Sequence, residues 1–409
     1  MDVASMRRID RWIGVPACIV LTLVRRLGDL FRRNPTKPPR RVAVIKLAEQ
    51  GATVLAYPAL ARLREKFGEE NVYFVVFSQN RFILDVLGVV RPDRVVSIQA
   101  SGAVGTAIET LKAVWRMRRE KIDATLDFEF FARSSAILSY LSGARTRVGF
   151  HAFHGEASWR GDLMTHRLSS NPFLHAGEIF QLQVSALDLP GEKLPTCDLD
   201  LPPASSLPRH RPTPETTASV ETLLRETLAT DDLPPIVLLN ANCSDLLPLR
   251  RWEPERYVEL SRRLLEEFPR LAIAFTGAPD EAADADRLVQ QIDSARCVNM
   301  AGRTTMNQLL ALYDLSELMV TNDSGPAHYS TLTEIDVITI FGPETPAVFG
   351  ARTPRSHILW SGLPCSPCVN AFNDRQSACN DNVCMQRITV DQVFDLTCDV
   401  LRARLEASS

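Results

Sequence analysis

Short β-branched runs alternate with stretches of helical periodicity along most of the chain. Residues 42–46, 72–77, 94–98 and 123–127 read as buried parallel strands. Between them Val54, Leu60, Leu63 and Phe67 recur at helical spacing, predicting a helix over 53–67 that Gly68 closes. Further helices are expected over 82–87, 107–119 and 134–141. Five prolines between Pro202 and Pro214 interrupt the pattern. It then restarts, with strands expected at 236–240, 271–275, 318–321 and 337–341 and helices at 254–268, 306–313 and 327–332. Such alternation predicts an α/β chain of two doubly wound halves, residues 41–201 and 215–409, joined by a linker over 202–214. Ligands of open parallel sheets bind beyond the carboxyl ends of the strands, so a cleft between two such ends is the expected site.

Residues 1–40 fall outside this rhythm. Trp12 to Val24 carries no charge and is flanked by Arg7, Arg8 and Arg11 before and Arg25, Arg26, Arg32 and Arg33 after. Residues 1–41 hold ten Lys or Arg against three acids, whereas the other 368 residues hold 36 basic and 46 acidic side chains. Thirteen residues rise only about 20 Å as a helix, too short for the hydrocarbon core. The leading expectation is an amphipathic helix lying in the interface of a membrane with an anionic surface. Packing on the protein's own body and uncleaved insertion are the alternatives. With 45% hydrophobic and 23% charged residues the 409-residue chain is globular, and a net charge of −3 gives no reason to expect a nucleic acid partner. Without a convincing export signal, a reducing cytoplasm is the expected compartment for its nine cysteines.

The most chemically pointed stretch is Thr321-Asn-Asp-Ser-Gly-Pro-Ala-His328, where a strand gives way to a helix start. Free N–H groups there suit a diphosphate, although a plain capped helix would have the same pattern. Together with Ile338-Thr-Ile-Phe-Gly-Pro343, this stretch resembles the signature of glycosyltransferase family nine, the ADP-heptose:lipopolysaccharide heptosyltransferases. The resemblance continues through Val42-Ala-Val-Ile-Lys-Leu47, Arg147-Val-Gly-Phe150, Arg250-Arg-Trp252, Phe275-Thr-Gly277 and Pro364-Cys-Ser-Pro-Cys368, covering roughly residues 41 to 400. It implies a GT-B architecture, with an N-terminal acceptor domain and a C-terminal nucleotide-sugar domain. It also implies an inverting transfer from an ADP-sugar to a lipid-anchored saccharide, with no metal or other cofactor required. By family position Arg250 would neutralise the diphosphate, Glu281 would hold the ribose, Thr304 would line the base and Asp323 would hold sugar hydroxyls. Asn242, Ser244, Ser324, Gly325 and His328 would complete the donor site, and Arg133 the acceptor site. Each has a plainer reading as a surface arginine, loop acid, helix cap or core histidine.

The sequence departs from the family at the base. Where the family places an aspartate after Ser-x-x-Gly, this chain reads Ala48-Glu-Gln-Gly-Ala52, and alanine accepts no proton. Glu49, on the same loop, is favoured as the replacement over Glu129. The rival reading is a catalytically lapsed member that binds nucleotide sugar or glycan as a scaffold. Cys365, Cys368, Cys379 and Cys384 have a spacing that could hold structural zinc or an iron–sulfur cluster, although packed thiols are the expected arrangement.

Overall fold

The computed structural model describes residues 10–29, 38–201, 207–243 and 247–407. Residues 1–9 and 30–37 of the basic segment, 202–206 of the linker and Ser244 lie outside the described residues. The chain forms two compact units, Met1–Ser206 with Asn370–Arg375, and Leu207–Val369 with Gln376–Ser409.

In the first unit β1 (Val42–Ile45), β2 (Val72–Phe77), β3 (Val95–Ile98), β4 (Ala124–Asp127), β5 (Thr146–Phe150) and β6 (His166–Leu168) form one sheet in the order β3-β2-β1-β4-β5-β6. Every pairing is parallel. All four β1 residues are fully buried, which is why that strand reads as a continuous apolar run. The second unit repeats the plan with β7 (Ile236–Asn240), β8 (Ala272–Phe275), β9 (Cys297–Asn299), β10 (Leu318–Asn322), β11 (Asp336–Phe341) and β12 (Ser356–Trp360). Its order, β12-β11-β10-β7-β8-β9, is the same arrangement written from the other edge. These are the two Rossmann-like units expected.

Four strands escaped the hydrophobic pattern. β6 and β9 have three residues each, and β12 is a partly exposed edge strand containing Ser356 and His357. In β5, Arg147 is buried because its guanidinium donates to the Leu163 and Ala144 carbonyls, both at 2.6 Å. The helix expected over 53–67 is two helices, Gln50–Leu55 and Tyr57–Phe67. Pro58, in the first turn of the second, has no N–H to continue the ladder. The linker ends earlier than expected, because Pro214 opens a helix, Pro214–Leu228, capped by the Thr213 hydroxyl. Residues 370–375, read with the second half, pack with the first unit.

The N-terminal helix, Val15–Asp29, docks on the first unit by its narrow side. Cys18 is buried against Ala136, Leu163 and Met164, and the Thr22 hydroxyl accepts from the Asp162 N–H at 3.0 Å. Arg25 pairs with Asp162, while Arg133 reaches back to Asp10 at 2.5 Å. The apolar side, including Leu23 at 57% and Leu27 at 62% exposure, faces outward. Among the described residues no helix is long and apolar enough to cross a membrane.

Candidate functional site

In each sheet the winding reverses between two adjacent parallel strands, leaving the loops beyond their carboxyl ends side by side. In the first unit those strands are β1 and β4, whose last paired residues are Ile45 and Asp127. Lys46 follows β1 and is wholly buried, its ammonium 2.8 Å from Glu129 Oε2 and 3.0 Å from Glu49 Oε2. Burial lowers its pKa, opposed by the Glu129 carboxylate. The other Glu129 oxygen accepts from the Leu47 N–H at 2.7 Å and the Ala48 N–H at 3.0 Å. The two glutamates weighed as bases are therefore one cluster built around Lys46, a residue without a role in the sequence reading.

Their surroundings differ. Glu129 has three donors on it and a side chain 13% exposed, so it holds the β1 loop in place. Glu49 is 27% exposed and has φ of 66°, a left-handed conformation that costs a non-glycine residue of order 1–3 kcal/mol. Lys46 and Arg375 both pair with its carboxylate. Arg375 comes from the 370–375 segment, and nothing in the sequence pattern connects it to Glu49. Ala52 is buried within Gln50–Leu55.

Beneath this cluster Asp127 is fully buried, with Arg160 at 2.6 Å and the Ser135 hydroxyl donating at 2.9 Å. Burial pushes its carboxyl up to about 6 against the opposing pull of Arg160. Its second oxygen accepts from the Glu129 N–H at 3.1 Å, so the buried pair orients the residue that orients the loop. Arg133 does not open onto this cluster. It bonds to Asp10 and to the Trp159 carbonyl, and so anchors the N-terminal helix.

In the second unit the reversal lies between β7 and β10. Buried Asn322 ties the two sides together: its side-chain oxygen accepts from the Trp252 N–H at 3.0 Å and the Tyr257 hydroxyl at 3.2 Å, and its amide donates to the Ala241 carbonyl at 3.0 Å. Arg250 closes the short turn Pro248–Arg250 and lies 3.6 Å from Asp323 and 3.8 Å from Glu344. Asp323 is thus the neighbour of a half-buried guanidinium. The cap position belongs to Ser324, whose side chain makes no capping bond. Glu344, missed by the sequence reading although it directly follows Gly342-Pro343, is buried, and its carboxyl is pushed up to about 8 by that burial and then by Asp323.

The helix expected at the anion site is short. Gly325–Tyr329 spans five residues before a 3-10 turn, so few aligned peptides stand behind it and the main positive charge is Arg250. Gly325 is needed there because a Cβ would come within 2.6 Å of the Tyr329 hydroxyl. His328 is buried on that turn. Half-buried Asn242 follows β7, its carbonyl 3.4 Å from the Asn322 amide. Glu281 follows β8 and accepts from the Ala278 N–H at 2.7 Å. Thr304 lies on the loop after β9, which the Gly302 N–H ties to the Gly277 carbonyl. All the described donor-site candidates thus sit beyond the carboxyl ends of β7 to β10.

The four clustered cysteines differ in exposure. Cys365 and Cys379 are exposed, Cys384 is buried beside Met385 in the core, and Cys368 accepts from the Ser377 hydroxyl at 3.2 Å. Among the described residues none is in a disulfide, and no group of three or more His, Cys, Asp or Glu is placed to hold a metal ion.

A model of glycosyltransferase family 9 (heptosyltransferase) matches residues 111–378. The chain belongs to glycosyltransferase family 9. Lipopolysaccharide heptosyltransferase 2 of Salmonella typhimurium and of Escherichia coli are each 31% identical over 101 residues, 24% of this chain. That match spans only 29% of the length of these relatives. The structure of E. coli ADP-heptose lps heptosyltransferase II superposes with a TM-score of 0.64 at 16% identity, covering 90% of this chain and all of that one. This family 9 chain therefore shares its two-unit fold with a solved heptosyltransferase over nearly its whole length, at an identity that speaks for the fold alone.

Proposed function

We propose that this family 9 chain is an inverting heptosyltransferase that moves heptose from ADP-heptose to a lipid-anchored saccharide of the lipopolysaccharide core. The reading rests on the family positions gathered beyond the carboxyl ends of the second sheet: Arg250, Glu281, Thr304 and Asp323. The relatives' names supply the sugar and the acceptor, and the E. coli structure's name supplies ADP. In this scheme Glu49 takes the proton of an acceptor hydroxyl, whose oxygen attacks the anomeric carbon. ADP leaves with its electron pair on the β-phosphate oxygen, where Arg250 offsets the charge. No cofactor is assigned to the transfer, because a side-chain cation fills that role. The outward apolar side of the N-terminal helix fits a protein working on lipid at the cytoplasmic face of the inner membrane.

Purified chain supplied with ADP-heptose and a lipid A–core acceptor should release ADP. Arg250→Ala should raise KM for ADP-heptose roughly ten- to a hundredfold, the loss of one charge-assisted contact. Absence of turnover with any ADP-sugar would favour the scaffold reading instead.

The donor site should also respond to pH. Below about 8 the Glu344 carboxyl is neutral; above it a second carboxylate charge appears beside Asp323 and opposes a diphosphate. ADP affinity, followed by calorimetry, should therefore fall as pH rises through that value, and Glu344→Gln should flatten the dependence. An unchanged slope in the variant would separate Glu344 from donor binding.

A further inference from the structure

We propose that helix Gly102–Arg119 is the second half of a two-helix surface by which the first unit lies on an anionic membrane, alongside Val15–Asp29. The helix is built inside out for a protein surrounded by water. Its inner side, with Ala113, Val114 and Met117, packs on β1, β2 and β3. On the opposite side Val104, Ile108, Leu111 and Trp115 follow one another at three- and four-residue steps, and all are at least half exposed, Leu111 at 63% and Trp115 at 61%. Single exposed leucines need no explanation, but a helix-long stripe of large apolar side chains marks an interaction surface.

The two helices belong to one layer. Leu138 of helix Arg133–Leu141 packs with Ala113 and Met117, while Ala136 of the same helix packs with Cys18. The short helix thus lies between the two long ones, each turning an apolar side outward.

Charge decides what covers the layer. Arg118 and Arg119 are exposed at the end of the stripe, with the Arg119 guanidinium 5.2 Å over the Trp115 ring. Arg11 and Arg26 are exposed beside the other helix. The nearby acids are already engaged: Glu109 with Lys112, Asp10 with Arg133, and Asp162 with Arg25. A second copy laid face to face would set arginine against arginine, whereas an anionic leaflet meets both the apolar stripe and the basic rim. Arginine over tryptophan also suits the headgroup level, where one end of the pair is apolar and the other wet.

This inference deepens the reading of a lipid-anchored acceptor, yet its test uses no acceptor, so either can fail alone. Full-length protein is sedimented with vesicles of phosphatidylethanolamine and phosphatidylglycerol, and with phosphatidylcholine vesicles for comparison. Parent protein should partition to the anionic vesicles. The double variant Ile108→Asp, Leu111→Asp should lose about tenfold or more of that partitioning. Its thermal unfolding should be unchanged, because both side chains are exposed. Arg118→Glu with Arg119→Glu should lower binding to anionic vesicles and remove the preference over phosphatidylcholine. Parental partitioning by the first double variant would overturn the proposal. So would a dimer of the parent in sedimentation velocity that this variant dissolves, since a second copy would then be what covers the stripe.

Discussion

Turnover of the Glu49→Gln chain falls by about 10²–10⁴, the usual contribution of a positioned base, while ADP still binds. Glutamine keeps the length of the side chain and can still accept from Lys46 at the 3.0 Å position, so the loop keeps its course. What disappears is the capacity to take a proton. Glu129→Gln should behave differently, because Glu129 Oε2 faces the ammonium of a wholly buried lysine and Oε1 faces two backbone N–H groups. Its loss weakens the loop itself, so melting temperature and turnover fall together. Adding Ala52→Asp to Glu49→Gln returns the carboxylate to its usual family position and should recover part of the lost rate. Rates of ADP release under saturating donor and acceptor decide the matter. A Glu49→Gln chain within a few-fold of the parent would place the base elsewhere.

Removing Arg160 should cost more stability than any other single change discussed. Arg160→Met leaves Asp127 buried without its cation and strips two donors, at 2.9 and 2.6 Å, from the Phe150 carbonyl. Breaking a buried pair from one side costs about 3–5 kcal/mol, or roughly 10 °C of melting temperature for a unit of this size. The pH dependence has a definite sign. Asp127 titrates higher in the folded chain, about 6, than its ordinary 3.8, so its contribution is fully present below the lower value and is lost as pH rises through the upper one. Without Arg160 the folded value climbs further, so the variant should be weakest at neutral pH and recover on acidification. Asp127→Asn added to Arg160→Met should restore part of the loss at neutral pH. Denaturant unfolding of the four chains gives the coupling directly, and a single variant within about 1 kcal/mol of the parent would refute a stabilising pair.

The two predictions meet in one chain of contacts. Arg160 holds Asp127, Asp127 accepts from the Glu129 N–H, and Glu129 holds Lys46 and the loop that presents Glu49. Arg160→Met should therefore slow turnover as well as lower stability, whereas Glu49→Gln should leave stability nearly intact.

The sequence alone determined the alternation and the chemistry of the loop ends. Strands such as β1 and β7 are buried on both faces, and burial on both faces demands an unbroken apolar run that anyone can read. Asp323 was legible because it directly follows a strand, where parallel sheets place their ligands, whereas Arg250, ten residues beyond β7, was legible from its family position. The short and edge strands stayed hidden, because three residues or one exposed face leave no period to detect. Only the tertiary structure joined Glu49 to Glu129 through Lys46, brought Arg375 to Glu49 from 326 positions away, and set Glu344 beside Asp323. It alone also showed which side of the N-terminal helix is docked. Local pattern records how much apolar surface a segment must hide; which charges share a buried space depends on how distant loops converge, and no local pattern carries that information.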